Sequence, residues 1–172
     1  MSNLHCETIT FPSSDGSHTS SAVLYTCPDT PVRAVIQLSH GMCEYVRRYQ
    51  PMAEFYAAHG IALAGNDHLG HGDTAREGEH GHYGEPEGRF HLLNDLHTRN
   101  GILHQRFPDV PIIATGGPTE ESILRTIEAG ANAISYTPPS TKELFRVIMS
   151  GYRERENAAA PRVEDEDLLE LL

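Results

Sequence analysis

The chain is poor in basic charge, poor in cysteine and without a long apolar run. Its 172 residues carry 13 Lys and Arg against 24 Asp and Glu, a formal net charge of -11 with the 11 histidines counted neutral. A grip on a phosphate backbone needs clustered cations, so this balance excludes nucleic acid as a partner. The longest strongly apolar stretches, Ala34 to Leu38 and Ile61 to Ala64, are strand-sized, whereas a bilayer span takes about 20 residues, so no membrane span is expected. Three cysteines, Cys6, Cys27 and Cys43, are odd in number and lack CxxC spacing. Free thiols in a reducing cytosol are the simplest reading. The first residues show no charged leader followed by an apolar run, so a cytoplasmic protein is expected. At 38% hydrophobic and 22% charged residues, with a mean hydropathy of -0.41, the chain is too apolar for disorder and suits one folded domain.

Elements can be placed along the chain from periodicity and punctuation. Glu7 to Phe11 and Ser21 to Tyr25 alternate as strands around the turn Ser13-Ser14-Asp15-Gly16, which reads as an opening antiparallel hairpin. Arg33 to Leu38 is a buried strand, Tyr49 to His59 a helix with Met52, Phe55 and Tyr56 on one face, and Ile61 to Gly65 the next strand. Strand, helix, strand in that order predicts a βαβ unit and a parallel sheet. A helix is expected from about Phe90 to Phe107 on Leu92, Leu93, Leu96, Ile102 and Leu103, with Gly101 weakening it. A strand over Pro111 to Thr115 follows, then a helix from an N-cap at Thr119 to Gly130, a strand over Ala133 to Tyr136 and a last helix over Lys142 to Arg155. The acidic tail from Glu164 onward reads as a frayed end.

Three stretches taken together carry a resemblance. They are His40-Gly41-Met42-Cys43-Glu44-Tyr45 with Arg48-Tyr49, His59-Gly60-Ile61, and Asp67-His68-Leu69-Gly70-His71-Gly72. In this order and at this spacing the chain resembles α/β-hydrolases of the lysophospholipase and monoacylglycerol lipase type, over about residues 5–113. One departure is Tyr45, where many members carry His. The resemblance implies that the Met42 backbone N–H donates to an oxyanion, with Gly41 permitting the turn.

The same resemblance implies a Gly-His-Ser-Met-Gly elbow after the strand that ends at Thr115. The corresponding residues are Gly116-Gly117-Pro118-Thr119-Glu120, so Pro118 stands at the serine position and offers neither a nucleophile nor an N–H. No GxSxG occurs in the sequence and no His follows His104, whereas Asp165 and Asp167 lie late enough to be acids. As substitute nucleophiles, Thr115 has only its closeness to the turn, Thr119 and Ser122 read first as helix-capping residues, and Cys43 reads as a small thiol.

Two further patterns widen the choice. Residues 110–155 resemble the last two βα units of a TIM-barrel phosphate-binding protein, which implies an anion site at Thr115, Gly116, Gly117 and Thr119. A tight strand-to-helix turn explains the same glycines. His68, His71, His80 and His82 form a histidine-rich loop and are the weak metal candidates, but no HExxH helix accompanies them, so no metal and no cofactor is expected.

The expected fold is therefore α/β, a three-layer αβα arrangement with a mostly parallel sheet. It is a truncated α/β-hydrolase over residues 1–113, a βαβα extension on the same sheet over residues 114–156, and a tail over residues 157–172. Two functions follow: an ester hydrolase by descent, related to lysophospholipases and lacking its triad, or a non-catalytic module for a phosphate-bearing or other anionic ligand. The ligand would be a small acyl ester or a phosphate. An exposed sheet edge would also allow a homodimer.

Overall fold

The computed structural model describes residues 3–84, 87–116 and 133–136, together with the helical positions 146, 149, 150 and 153. The expected helix from Thr119, most of that from Lys142 and the acidic tail lie outside the described residues.

The chain opens with a hairpin, β1 (His5–Pro12) and β2 (Thr19–Thr26), paired antiparallel from His5↔Thr26 to Pro12↔Thr19. A buried strand β3 (Ala34–Leu38) leads through a short 3-10 turn (Val46–Tyr49) into helix α1 (Gln50–Ala58), where Pro51 suits the first turn because its missing N–H would have no partner there. β4 (Ile61–Asn66) returns parallel to β3, with Ala34 opposite Ile61 and Leu38 opposite Gly65. Helix α2 (Gly88–Arg106) then crosses back, β5 (Ile112–Gly116) pairs parallel with β3, and β6 (Ala133–Tyr136) pairs parallel with β5.

The six strands form one sheet in the order β1-β2-β4-β3-β5-β6, antiparallel at β1-β2-β4 and parallel beyond. Two crossovers that leave β3 in the middle put successive helices on opposite faces. On one face Val23, Tyr25, Leu38 and Leu63 pack with Val46 and Ala53, while Ile36 and Ile113 meet Tyr56. On the other, Leu24, Val35, Ala62, Ala64 and Ile112 meet Leu103 of α2. The central parallel strands β3 and β4 are buried on both sides, as parallel strands covered by helices are.

Two expectations about helix faces fail. On α1 the core side is Ala53, Tyr56 and Ala57, whereas Phe55 is 53% exposed and stacks edge-on against Tyr56 from outside. The wide β3–β4 groove admits small residues at the contact, which lets the helix approach closely and turns the larger ring out.

On α2 the buried residues are Gly88, Asp95, Arg99, Asn100 and Leu103, while Leu92, Leu93, Leu96 and Ile102 are only half-buried. This helix meets the sheet through polar contacts. Asp95 accepts from the Ser13 hydroxyl at 2.7 Å, the Ser20 hydroxyl at 2.9 Å and the Ser14 backbone N–H at 2.7 Å. Asn100 donates to the Gln37 side chain at 2.8 Å, and Gln37 donates to the Leu96 carbonyl at 3.0 Å.

A buried carboxylate is tolerated only when its oxygens are filled, and here three donors from the hairpin fill them. Asp95→Ala leaves those donors unpaired and should lower stability by about 3 kcal/mol, the cost of orphaned buried groups. Urea unfolding of the variant against the parent checks this; a change under about 0.5 kcal/mol would sink the account.

Candidate functional site

The C-terminal ends of β3 and β4 lie side by side, and the loops that leave them, residues 39–45 and 67–74, build the candidate site. In open α/β sheets ligand sites gather at these ends because the crossing connections diverge there.

Asp67 joins the two loops. Its carboxylate accepts the Val46 N–H at 2.7 Å from the first loop and the Asp73 N–H at 2.9 Å from the second, and its own N–H donates to the Ser21 carbonyl at 2.8 Å. The Thr74 hydroxyl donates to the Asp67 carbonyl at 2.9 Å and accepts the Ser21 N–H at 2.9 Å. Gly72 makes this possible: it sits at φ 46°, and a Cβ there would overlap the Asp67 carboxylate.

The turn at Gly41 and Met42 is held from three directions. Glu44 accepts the Gly41 N–H at 2.9 Å and the Tyr49 hydroxyl at 2.5 Å, and these two bonds keep its carboxyl below the usual glutamate range. His71 lays its two ring nitrogens against carbonyl oxygens, Nδ1 2.8 Å from Leu69 and Nε2 2.6 Å from Met42. His40 holds the base of the loop, its Nδ1 donating to the Gly41 carbonyl at 2.8 Å and its Nε2 accepting the His68 N–H at 3.1 Å. Burial pushes the His40 pKa down, which suits a neutral ring with one donor and one acceptor.

The Gly41 N–H and the Met42 carbonyl are therefore committed. The Met42 N–H has no partner among the described residues, and its side chain is 67% exposed.

Histidines line the floor. The rings of His40 and His68 lie 4.0 Å apart, and Tyr83 covers His71 at 4.8 Å. His68 is buried, with Nε2 directed at the His40 carbonyl and the Ser39 hydroxyl, both at 3.3 Å. Burial first, and then the neighbouring His40 and Arg99, holds it well below the ordinary imidazole value.

The four histidines singled out as weak metal candidates are not brought together: His68 and His71 sit in this stack, whereas His80 and His82 are exposed. No group of three His, Cys, Asp or Glu side chains with metal-holding geometry occurs among the described residues.

Thr115, at the end of β5, uses its hydroxyl to accept the Ser39 N–H at 3.0 Å, so it ties β5 to the start of the first loop. Gly116 closes β5 opposite Tyr136 of β6. Gly117, Pro118, Thr119 and Ser122 lie outside the described residues, as do Asp165 and Asp167. All three cysteines are free, with Cys6 and Cys43 exposed.

Sequence reasoning missed Glu44 as the acceptor for Gly41 and His71 as the clamp on Met42. It also missed the His18 clasp, which ties the hairpin turn to the site loop. His18 Nδ1 meets Asp15 at 2.5 Å and Nε2 meets Glu79 at 2.8 Å. A Glu at the third place after a turn glycine was the available signal for Glu44. Nothing local marks His18, since Glu79 is distant in sequence.

A sheet in the order 1-2-4-3-5-6, with a glycine turn after β3, is the arrangement of an α/β-hydrolase. The chain matches the family described as serine aminopeptidase, S33, over residues 30–117, and it belongs to that family. It is 33% identical over 95 residues to a monoacylglycerol lipase of Mycolicibacterium smegmatis, a match covering 52% of this chain and 30% of that protein. Among solved structures it is similar to a thermostable carboxyl esterase from Bacillus coagulans in complex with glycerol, with a TM-score of 0.60, 26% identity, and 76% of this chain covering 43% of that one. A lipase in an open form aligns with a TM-score of 0.55 and 26% identity, over 65% of this chain and 36% of the lipase. The chain thus spans less than half the length of these relatives. Among the described residues no helix is long and apolar enough to cross a membrane.

Two expected outcomes test the geometry. Gly72→Ala places a methyl group in the Asp67 carboxylate at a positive φ and should cost about 2 to 4 kcal/mol in chemical unfolding; a neutral result would mean that the two loops are not joined there. Bonds to Glu79 and Asp15 raise the His18 pKa, so its contribution is fully present below the ordinary His value of about 6.5 and is lost as pH rises through the raised value. Glu79 and Asp15 are held low, so their part persists until pH falls below about 4. The stability gap between the parent and His18→Gln should therefore be widest near pH 5 to 6 and should narrow toward pH 9; a gap independent of pH would refute the clasp.

Proposed function

We propose that this chain is the oxyanion-loop half of a carboxylic-ester hydrolase related to monoacylglycerol lipases, able to receive an acyl-ester carbonyl but without triad turnover in these 172 residues. The observation that carries this reading is the bracing of the turn on both sides of the Met42 N–H. The Gly41 N–H is occupied by Glu44 and the Met42 carbonyl by His71, while the Met42 N–H has no partner among the described residues and Met42 is 67% exposed.

A donor held in place before the reaction is worth about 2.7 to 4 kcal/mol to a tetrahedral oxyanion, because no reorganisation is needed as charge develops. That benefit is realised only when a nucleophile creates the oxyanion. Pro118 at the serine position supplies none, and no imidazole follows His104 to act as base. Two histidines of the site do not replace that base: His40 and His71 have both ring nitrogens committed to the backbone of the two loops. The ester class is supported by the relatives, named as a monoacylglycerol lipase and a carboxyl esterase in complex with glycerol.

The test uses the chain as it stands. Incubation with a fluorophosphonate probe should leave it unlabelled, and p-nitrophenyl butyrate should hydrolyse at the rate of buffer alone. Covalent labelling, or ester turnover above background that survives repurification, would overturn the reading of an incomplete triad.

A further inference from the structure

Arg99 takes no part in the oxyanion loop. It is 2% exposed and lies on the sheet-facing side of α2, where its Nη1 donates to the Asn66 side chain at 2.7 Å. Its Nε and Nη2 have no hydrogen-bond partner among the described residues. None of the ion pairs there includes it. The carboxylate one turn earlier on the same helix, Asp95, is filled by Ser13, Ser14 and Ser20.

The two open donors are not an arbitrary pair. In a guanidinium the Nε–H and the Nη2–H leave the same side of the plane, parallel and spaced as the two oxygens of a carboxylate are. Nη1, on the other side, is the one that Asn66 occupies. Burial alone draws the Arg99 pKa down to about 9, which still leaves it charged at neutral pH. The neighbouring His68 is held neutral, so it does not compete for an anion, and its Nδ1 is likewise without a partner. A buried cation with two donors unpaired attracts an anion that would neutralise it, because burial weakens solvation of the charge.

We propose that the open Nε/Nη2 fork of Arg99, between α2 and the C-terminal end of β4, binds one small carboxylate ligand. This site is separate from the Met42 turn and does not depend on ester chemistry. A spherical halide cannot meet both N–H groups along their axes, whereas a planar two-oxygen anion can, so the site discriminates by shape as well as by charge.

Thermal unfolding of the full chain in sodium formate, against sodium chloride at equal ionic strength and pH, tests the proposal. Formate should raise Tm by several degrees with saturation, as linkage requires for a ligand of the folded state, and chloride should not. Arg99→Lys keeps a charge but has no fork, and should lose the saturable response. Equal responses to the two salts, or no response to formate, would show that the fork holds water or a group of the chain itself and would overturn the proposal. Should the variant fail to fold, titration of the unaltered protein followed at the buried arginine Nε–H resonance decides: a saturable shift with formate supports the site, and an unmoved resonance refutes it.

Discussion

One carboxylate holds the functional end of this fold in register. Asp67 stands just beyond β4 and accepts N–H groups from the loop after β3 and from the loop after β4, so neither loop has an independent position. Both interactions are charge-assisted and enclosed, with Asp67 1% exposed, and such bonds are about twice as strong as neutral ones. Everything placed on the two loops follows from it: the Val46 turn that starts α1, the His71 ring that reaches the Met42 carbonyl, and Gly72, whose missing side chain leaves the carboxylate its space. The cost is the chain entropy lost in ordering glycines, at positions where a Cβ would collide.

The helix on the opposite face obeys a different rule. α1 is seated by apolar side chains, whereas α2 is seated by Asp95, Arg99 and Asn100, each matched to a polar group on the hairpin or the sheet. Apolar packing is non-directional and tolerates sliding, but a serine pair on Asp95 and an amide pair at Gln37 and Asn100 allow one position only. Polar seating therefore fixes the helix along its axis. The same arrangement leaves the guanidinium of Arg99 partly unsatisfied, a condition an apolar face would never create.

Much of this was legible in the sequence, and the limits have physical causes. The strands at Ala34–Leu38 and Ile61–Asn66 stand out because a strand buried on both faces is a short, mostly apolar run. The loops stand out because glycine and histidine recur there in a family pattern. The seating of α2 was hidden, since periodicity weighs only apolar residues and Leu92, Leu93 and Leu96 suggested a face that the sheet does not use. Pairings such as Asp95 with Ser13 join residues far apart in the chain, and no local rule can see them. For the same reason the histidine-rich loop suggested a metal, although its members serve two loops rather than one ion.

The turn at Gly41 and Met42 is held by bonds from its own part of the chain. Glu44, Tyr49, Asp67 and His71 all lie within residues 41–73, and none of their bonds to the turn involves β5 or anything after it. The Thr115 hydroxyl, which accepts the Ser39 N–H, ties β5 to the start of the first loop, and Ile113 packs on Tyr56. The turn is thus a self-contained unit of the front half, whereas catalysis in the family requires groups brought from beyond β5.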